Sequence, residues 1–340
     1  MSTEGNVGTV QVDSIYQGKA NGTIAARLLV NNMDVNCLRT NTNDALLHEE
    51  WIAFDTAVID AFQSRIVGVQ DLIDANLVYD MKGKGMASSV LAYEAASKSG
   101  NAVLSMDGMG NVQLDNQEFS TAYLPLPIIH CDYQMSARFI AESRNRGIPA
   151  DTSAATQAAL RVAEKVESIL FAGASSYKFG GGYIRGYCDY DNRQTVTLST
   201  YGAWSASGVT GAQILAGVQA MKAKMITAKC FGPYGLYIPT AYETIIDNDY
   251  STLYPSVTIK DRLLKIGGMQ FVHVSDSITA ANVVMVQLKP NTVQLVMGLS
   301  PTNVDWETNG GLMLHRKVMC IMVPKFGADF DGNCGIVHMS

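Results

Sequence analysis

Charge is what this sequence has least of. Asp, Glu, Lys and Arg make up 16% of its 340 residues, against about 25% in an ordinary soluble domain. The 47% share of Ala, Val, Ile, Leu, Met, Phe, Trp, Tyr and Cys excludes a disordered chain. A chain of this size with so few charges is short of solvating surface, so much of that surface is expected to lie against other chains. The net charge of −6 excludes a basic, phosphate-tracking nucleic-acid binder. Cysteine is sparse too. Cys37, Cys131, Cys188, Cys230, Cys320 and Cys334 contain no C-x-x-C pair, which excludes a disulfide scaffold and points to thiols in a reducing compartment. No apolar run approaches the roughly 20 residues of a membrane helix. Residues 1–10 are polar, so no signal peptide is expected. The protein is read as soluble, made in the cytoplasm and not associated with membranes.

Catalytic motifs are missing as well. Gly180, Gly181 and Gly182 lack the Lys-Ser/Thr of a phosphate loop, and read as a flexible loop. Asp329, Asp331 and Asn333 begin like a calcium loop, but Cys334 stands where glycine is required and Ser340 where glutamate is required. His48, His130, His273, His315 and His338 show no zinc spacing. His130 and Cys131 are neighbours in a predicted strand, so they point to opposite faces and cannot act as a pair. There is no G-x-S-x-G elbow. The methionines, Met81, Met86, Met106 and Met109 among them, read as packing rather than as a soft-metal site. No catalytic, cofactor or metal residue is assigned, and an enzyme is not expected.

What is there is an order of elements. Residues 1–45 hold seven asparagines and no sustained period, and read as an extended arm. A helix is predicted from near Asp44, with Leu47, Trp51, Phe54, Val58 and Phe62 on one face. Residues 78–120 are glycine-rich and lack a core-facing stripe. They read as a long projecting hairpin, with a turn at Gly108 to Asn111. Tyr123 to Tyr133 reads as an edge strand broken by Pro125 and Pro127. The strongest signal is a helix over 151–172. Ala159, Val162, Ala163, Val166, Ile169 and Leu170 form its stripe, and Gly173 stops it. A helix follows at 210–225. Strands are predicted at 234–238, 269–274, 282–288, 292–298, 312–323 and 335–339. The class is α+β.

This order resembles the major capsid proteins of tailed bacterial viruses, of the Hong Kong 97 type, and the related encapsulin shells. Two stretches carry the likeness. Tyr123 to Ile129 (YLPLPII), running into Ser136 to Phe139 and the helix ending Ile169 to Gly173, is similar to the encapsulin pattern. Gly232 to Pro239 (GPYGLYIP), with Val293 to Gly298 (VQLVMG), is similar to its axial domain. The resemblance implies an N-terminal arm (1–45) and a peripheral domain (46–77 and 121–204) with a spine helix at 151–172. It implies an extended loop (78–120), an axial domain (205–300) and C-terminal strands (301–340) returning to the peripheral domain. It implies a non-catalytic subunit of an icosahedral capsid, built of pentamers and hexamers around double-stranded DNA that it does not read by sequence. Scaffold, portal and decoration proteins are its implied partners. The implied location is the virion, after assembly in the host cytoplasm. Lys82, Lys84 and Lys98 lie where some relatives cross-link, and read as surface charge. The alternative is an encapsulin-like compartment enclosing cargo protein; the longer arm and loop favour the virus.

Overall fold

The computed structural model of this chain describes residues 48–96, 106, 119–145, 152–251, 254–329 and 332–340. The arm at 1–45 and the turn at 108–111 lie outside them. In chain order, helices α1 (His48–Arg65) and α2 (Gly68–Asp74) precede strands β1 (Val78–Asp80), β2 (Val90–Ala96), β3 (Phe119–Pro125) and β4 (Ile129–Ser136). Helices α3 (Ala137–Asn145) and α4 (Ser153–Ala172) follow, then β5 (Ala174–Phe179), β6 (Gly182–Ile184) and β7 (Gln194–Val196). Next come α5 (Gly211–Thr227), β8 (Tyr234–Pro239), α6 (Glu243–Ile246), β9 (Asp249–Ser251), β10 (Tyr254–Thr258) and α7 (Ile259–Leu264). The remaining strands are β11 (Met269–Ser275), β12 (Val283–Gln287), β13 (Val293–Thr308), β14 (Met313–Phe326) and β15 (Ile336–Met339).

The predicted spine helix is α4. Its 20 residues span about 30 Å at 1.5 Å per residue. The whole apolar stripe is buried, from Ala159 to Leu170. Gly173 ends it at φ +75°, its N–H donating to the Ile169 carbonyl at 3.0 Å. Alpha4 and α1 lie against one face of a four-stranded sheet of order β1-β13-β14-β4. A five-stranded sheet of order β11-β8-β12-β15-β7 carries α5 and α7. Both helices have local start signals. The Gln213 side chain accepts from the Thr210 N–H at 2.9 Å, and the Thr258 hydroxyl accepts from the Asp261 N–H at 3.1 Å.

Strand β8 is buried at every residue, so it must face apolar layers on both sides. Leu236 and Ile238 join the core beneath α5 and α7, while Tyr237 faces the core shared with α4 and the four-stranded sheet. The two cores meet at a cluster of rings. Phe171, at the end of α4, stands edge-on to Tyr187 at 5.5 Å and to Tyr237 at 5.2 Å. Tyr187 also meets Phe326 of β14 at 5.2 Å, and Tyr237 meets Phe271 of β11 at 5.5 Å. A glycine crossing allows this approach. A Cβ on Gly186 would overlap the Gly173 nitrogen and the Phe171 carbonyl oxygen.

The chain departs from the expected segmentation in several places. Residues 78–80 do not begin the projecting loop. They pair in parallel with β13, because buried Leu77 draws them onto the sheet edge. The predicted strand from Tyr123 to Tyr133 is two strands in two sheets, separated at Pro125 and Pro127; β4 is indeed a sheet edge. Gly180 and Gly181, at φ +59° and +83°, are not a flexible loop but the tight turn between β5 and β6. Val196, Leu198 and Trp204 belong to the second core rather than to the first. The four-stranded sheet takes β13 from Val293 onward, so residues 293–300 leave the second sheet. Residues 336–339 do not return to the first sheet. Beta15 pairs antiparallel with β12 and in parallel with β7. Its residues bury to both sides, Ile336 into the first core and Val337 and Met339 into the second, which suits an interior strand.

Val166 is 1% exposed within the spine stripe. Val166→Asp is expected to bury an unpaired carboxylate, at a cost on the order of 4 kcal/mol. Soluble subunits with an unchanged unfolding midpoint in urea would contradict this placement.

Candidate functional site

Exposed apolar side chains gather around one hairpin. Beta2 and β3 pair from Val90 opposite Pro125 to Ala96 opposite Phe119, and take no third strand among the described residues. Tyr123 on β3, and Ile128, Tyr177, Phe179 and Tyr183 beside the hairpin, are each 36–50% exposed. Three devices hold the base of the hairpin. The chain crosses β13 backbone to backbone, since a Cβ on Gly85 would overlap the Gly298 carbonyl. Gly182 of β6 presses equally closely on the Tyr123 carbonyl. The Lys325 ammonium lies 4.9 Å from the ring centre of Tyr93 and 5.5 Å from that of Tyr79, and donates to Gln294 Oε1 at 3.3 Å. Burial lowers the Lys325 pKa, a sign that this cation is poorly hydrated.

At the base, an open groove of about 680 Å³ runs between the segments that flank the hairpin (Met86, Ser89 and Leu126 to Ile128), β5 and the four-stranded sheet. Tyr177 and Phe179 form one wall; Val304, Trp306 and Met319 form its floor. Strand alternation explains the division. Arg316 and Val318 face the helices, and Arg316, with no exposed surface, lies 4.2 Å over the Phe54 ring of α1. His315, Lys317 and Met319 therefore face the other way. There, Trp306 stacks on His315 at 5.4 Å, and Lys317 Nζ meets Asp132 Oδ2 at 3.4 Å. His130 Nδ1 lies 3.1 Å from Asp132 Oδ1. The groove thus offers ring faces, methyl groups and a small charged rim, which is a surface for contact rather than for bond making.

The residues weighed in the sequence are scattered. His130 pairs with Asp132 on the exposed side of β4, away from Cys131. His273 pairs with Asp71 at 2.9 Å, His315 with Thr308 at 2.7 Å, and buried His338 with Asn282 at 3.0 Å. Burial and then Arg193 hold the His338 pKa down. Among the described residues, no three His, Cys, Asp or Glu side chains form a metal-sized group. Burial pushes the Cys188 thiol up to about 11 and that of Cys334 up to about 12, so both are protonated thiols. The Asp329 to Asn333 stretch closes through backbone bonds, the Asp329 N–H donating to the Asn333 carbonyl at 2.8 Å; Asp331 lies outside the described residues. So does Lys98, while the Lys82 N–H donates to Asp80 Oδ1 at 2.8 Å in a tight turn. Sequence reasoning missed Arg316 and the β5–β6 hairpin. The tripeptide Gly180 to Gly182 between Phe179 and Tyr183 was the available signal for the hairpin.

Known structures share this arrangement. A virus-like particle protein from Pyrococcus furiosus aligns with a TM-score of 0.58 at 16% identity, over 86% of this chain and 99% of that one. The capsid of Myoviridae phage XM1 aligns at 0.57 and 8% identity, over 77% and 88%. A chain of Mycobacterium phage Adephagia aligns at 0.54 and 11% identity, over 79% and 89%. The fold is therefore the Hong Kong 97 type, shared by phage capsid proteins and encapsulin shells. The chain belongs to the family of unknown function DUF6260, which matches it over residues 41–339. It is also 27% identical, over 207 residues, to the type 1 encapsulin shell protein EncA of Myxococcus xanthus (strain DK1622). That match covers 60% of this chain, which spans 65% of the length of EncA.

The Gly85 crossing can be tested against Gly83, whose Cβ position is open although its φ is +78°. Gly83→Ala is expected to cost about 1 kcal/mol, from the left-handed backbone alone. Gly85→Ala is expected to cost more, about 2–3 kcal/mol, because two backbones must part. Urea unfolding of the two variants side by side decides it. An equal or smaller loss for Gly85→Ala would remove the anchoring role.

Proposed function

We propose that this chain is the structural subunit of an icosahedral viral shell, a major capsid protein that assembles with copies of itself into pentamers and hexamers. The observation that carries the reading is the hairpin β2–β3, anchored at its base and without a third strand among the described residues. A two-stranded hairpin is marginal in water by itself, and the apolar groove beside it needs cover. Neighbouring copies supply both needs in a closed shell. The low charge content has the same explanation, since surface turned toward neighbours needs no solvating charge.

In this reading the five-stranded sheet with α5 and α7 forms the axial domain, and the four-stranded sheet with α1 and α4 forms the peripheral domain. The arm at 1–45 and the hairpin lace adjacent subunits. The shell encloses double-stranded DNA, which an acidic subunit does not grip. Scaffold, portal and decoration proteins are its further partners, and it assembles in the host cytoplasm before residing in the virion. Among the described residues, no helix is long and apolar enough to cross a membrane. The sequence likeness to EncA favours a second reading, an encapsulin-like compartment around cargo protein. Electron microscopy of the purified protein, with analysis of its contents, separates the two. Shells containing DNA support the first, shells containing protein cargo the second, and small oligomers neither.

Replacing residues 97–118 by a two-residue turn is expected to leave a subunit with wild-type circular dichroism and unfolding midpoint. Its yield of shells in electron micrographs should fall to the background level. Normal shells from this deletion would show that the hairpin does not link copies.

A further inference from the structure

The five-stranded sheet carries opposite charges at its two ends. One end lies where α5 and α7 finish and β8 and β11 begin. The Tyr234 N–H donates to the Gly268 carbonyl at 2.8 Å, the Leu288 N–H to that of Pro233 at 2.9 Å, and the Lys222 ammonium to that of Gly267 at 2.7 Å. These bonds tie the turns at 228–233, 265–268 and 288–291 into one surface. Lys224, Lys229, Lys265 and Lys289 stand exposed on it. So do Ile226, Phe231 and Leu264, at 48%, 58% and 38% exposure. Ile226 is four residues on from Lys222, on the face of α5 that meets Gly267, so the apolar groups lie among the lysines. One carboxylate, Asp329, stands beside this end, near Cys230. The other end lies where β8 finishes and α5 begins. There the Ile259 N–H donates to the Asn248 carbonyl at 3.0 Å, and Gly211 packs on the Tyr250 carbonyl, which a Cβ would approach to 2.7 Å. Glu243, Asp247 and Asp249 are exposed at this end. No ion pair ties these three carboxylates or the four exposed lysines to another described residue. The 17 residues of α5 hold the two ends about 25 Å apart. Physiological salt screens charge over roughly 8 Å, so the ends do not neutralise each other within one subunit.

We propose that the lysine end of the five-stranded sheet docks on the Glu243, Asp247 and Asp249 end of the next copy, head to tail. The charges are complementary, and Ile226, Phe231 and Leu264 are closed off from water within the contact. A polyanion such as nucleic acid would satisfy the lysines but leave these three side chains exposed, so a second copy is the better occupant. Two different patches meeting in this way make a heterologous contact, which closes into a ring when its rotation allows. The charges then fix partner and orientation more than they supply affinity. This pairing rests on the shell reading above, and on that reading it is the contact through which pentamers and hexamers close.

Charge exchange on the full-length chain tests this, read by native mass spectrometry and electron microscopy. Lys229→Glu with Lys265→Glu, and separately Asp247→Lys with Asp249→Lys, are each expected to keep the wild-type circular dichroism. Each should lower the yield of rings and shells by about tenfold or more. One pair raises the net negative charge and the other lowers it, so a loss common to both is not general repulsion. The chain carrying all four substitutions should recover the wild-type yield. In an equal mixture of the two double variants the copies must alternate, so hexamers form and pentamers do not. Wild-type yield from either double variant overturns the pairing. So does a fourfold variant that fails to recover, or a mixture that gives pentamers or no rings. Should a variant not fold, the wild-type chain decides: its rings at about 0.1 M salt should dissociate at about 1 M, where charge is screened within roughly 3 Å. Rings unchanged by salt overturn the pairing alone. A wild-type chain that forms no rings at either salt overturns the shell reading with it. A lysine variant that assembles normally but no longer retains double-stranded DNA makes a polyanion the occupant, and overturns the pairing too.

Discussion

The packing of Phe171 between Tyr187 and Tyr237 is the contact on which the rest of this molecule depends. The spine helix is amphipathic and could bury its stripe on the four-stranded sheet alone. The five-stranded sheet has its own core under α5 and α7. The ring cluster, with Val284, Val286 and Ile336 of the five-stranded sheet buried in the same core, makes one body of the two. Each aromatic pair of this kind adds about 0.5–1.5 kcal/mol beyond the area it buries, and three edge-on contacts and one tilted one link the end of α4 to β8, β11 and β14. The rings close to this distance because Gly173 ends the helix against Gly186 with no side chain between them. Glu167, buried on the same helix, accepts from the N–H groups of Val67, Gly68 and Val69.

Much of this was legible from residue order. The stripe from Ala159 to Leu170, with Gly173 after it, marks the spine helix to within two residues. The apolar runs of β8 and β12 mark strands buried on both faces. The family resemblance was legible too, because several individually weak patterns fall in the same order as in capsid proteins. What was not legible depends on partners distant in sequence. Nothing near Arg316 shows that alternation in β14 turns it beneath Phe54. Nothing near residues 336–339 shows that they pair with β7, although a strand is legible near Thr195 to Leu198. The helix Ile259–Leu264 is six residues long, below the length at which a hydrophobic period can be recognised. The groove was invisible for the same reason, since its walls come from β5, β13 and β14, and only the sheet brings them together.

The shell reading and the chemistry of the described surface agree on one point. Where an enzyme concentrates nucleophiles and ionisable groups in a cleft, this chain places tyrosine, phenylalanine and tryptophan around an open trough. Its four described histidine side chains have four separate partners, and its buried thiols are held protonated. The buried Glu167 is turned inward, toward the backbone N–H groups at the start of α2.

The interior position of β15 bears on the order in which the molecule can be made. Beta7, at residues 194–196, has β15 as its one neighbour in the sheet, and β12 has β15 on one side. Until residues 336–339 leave the ribosome, β12 presents an open edge and β7 has nothing to join. Loop closure over more than 130 residues makes this a late and slow step. A chain interrupted before that point exposes an apolar, unpaired strand edge, which invites aggregation rather than ordered association. Chains interrupted before residues 336–339 are thus withheld from any assembly that requires the five-stranded face.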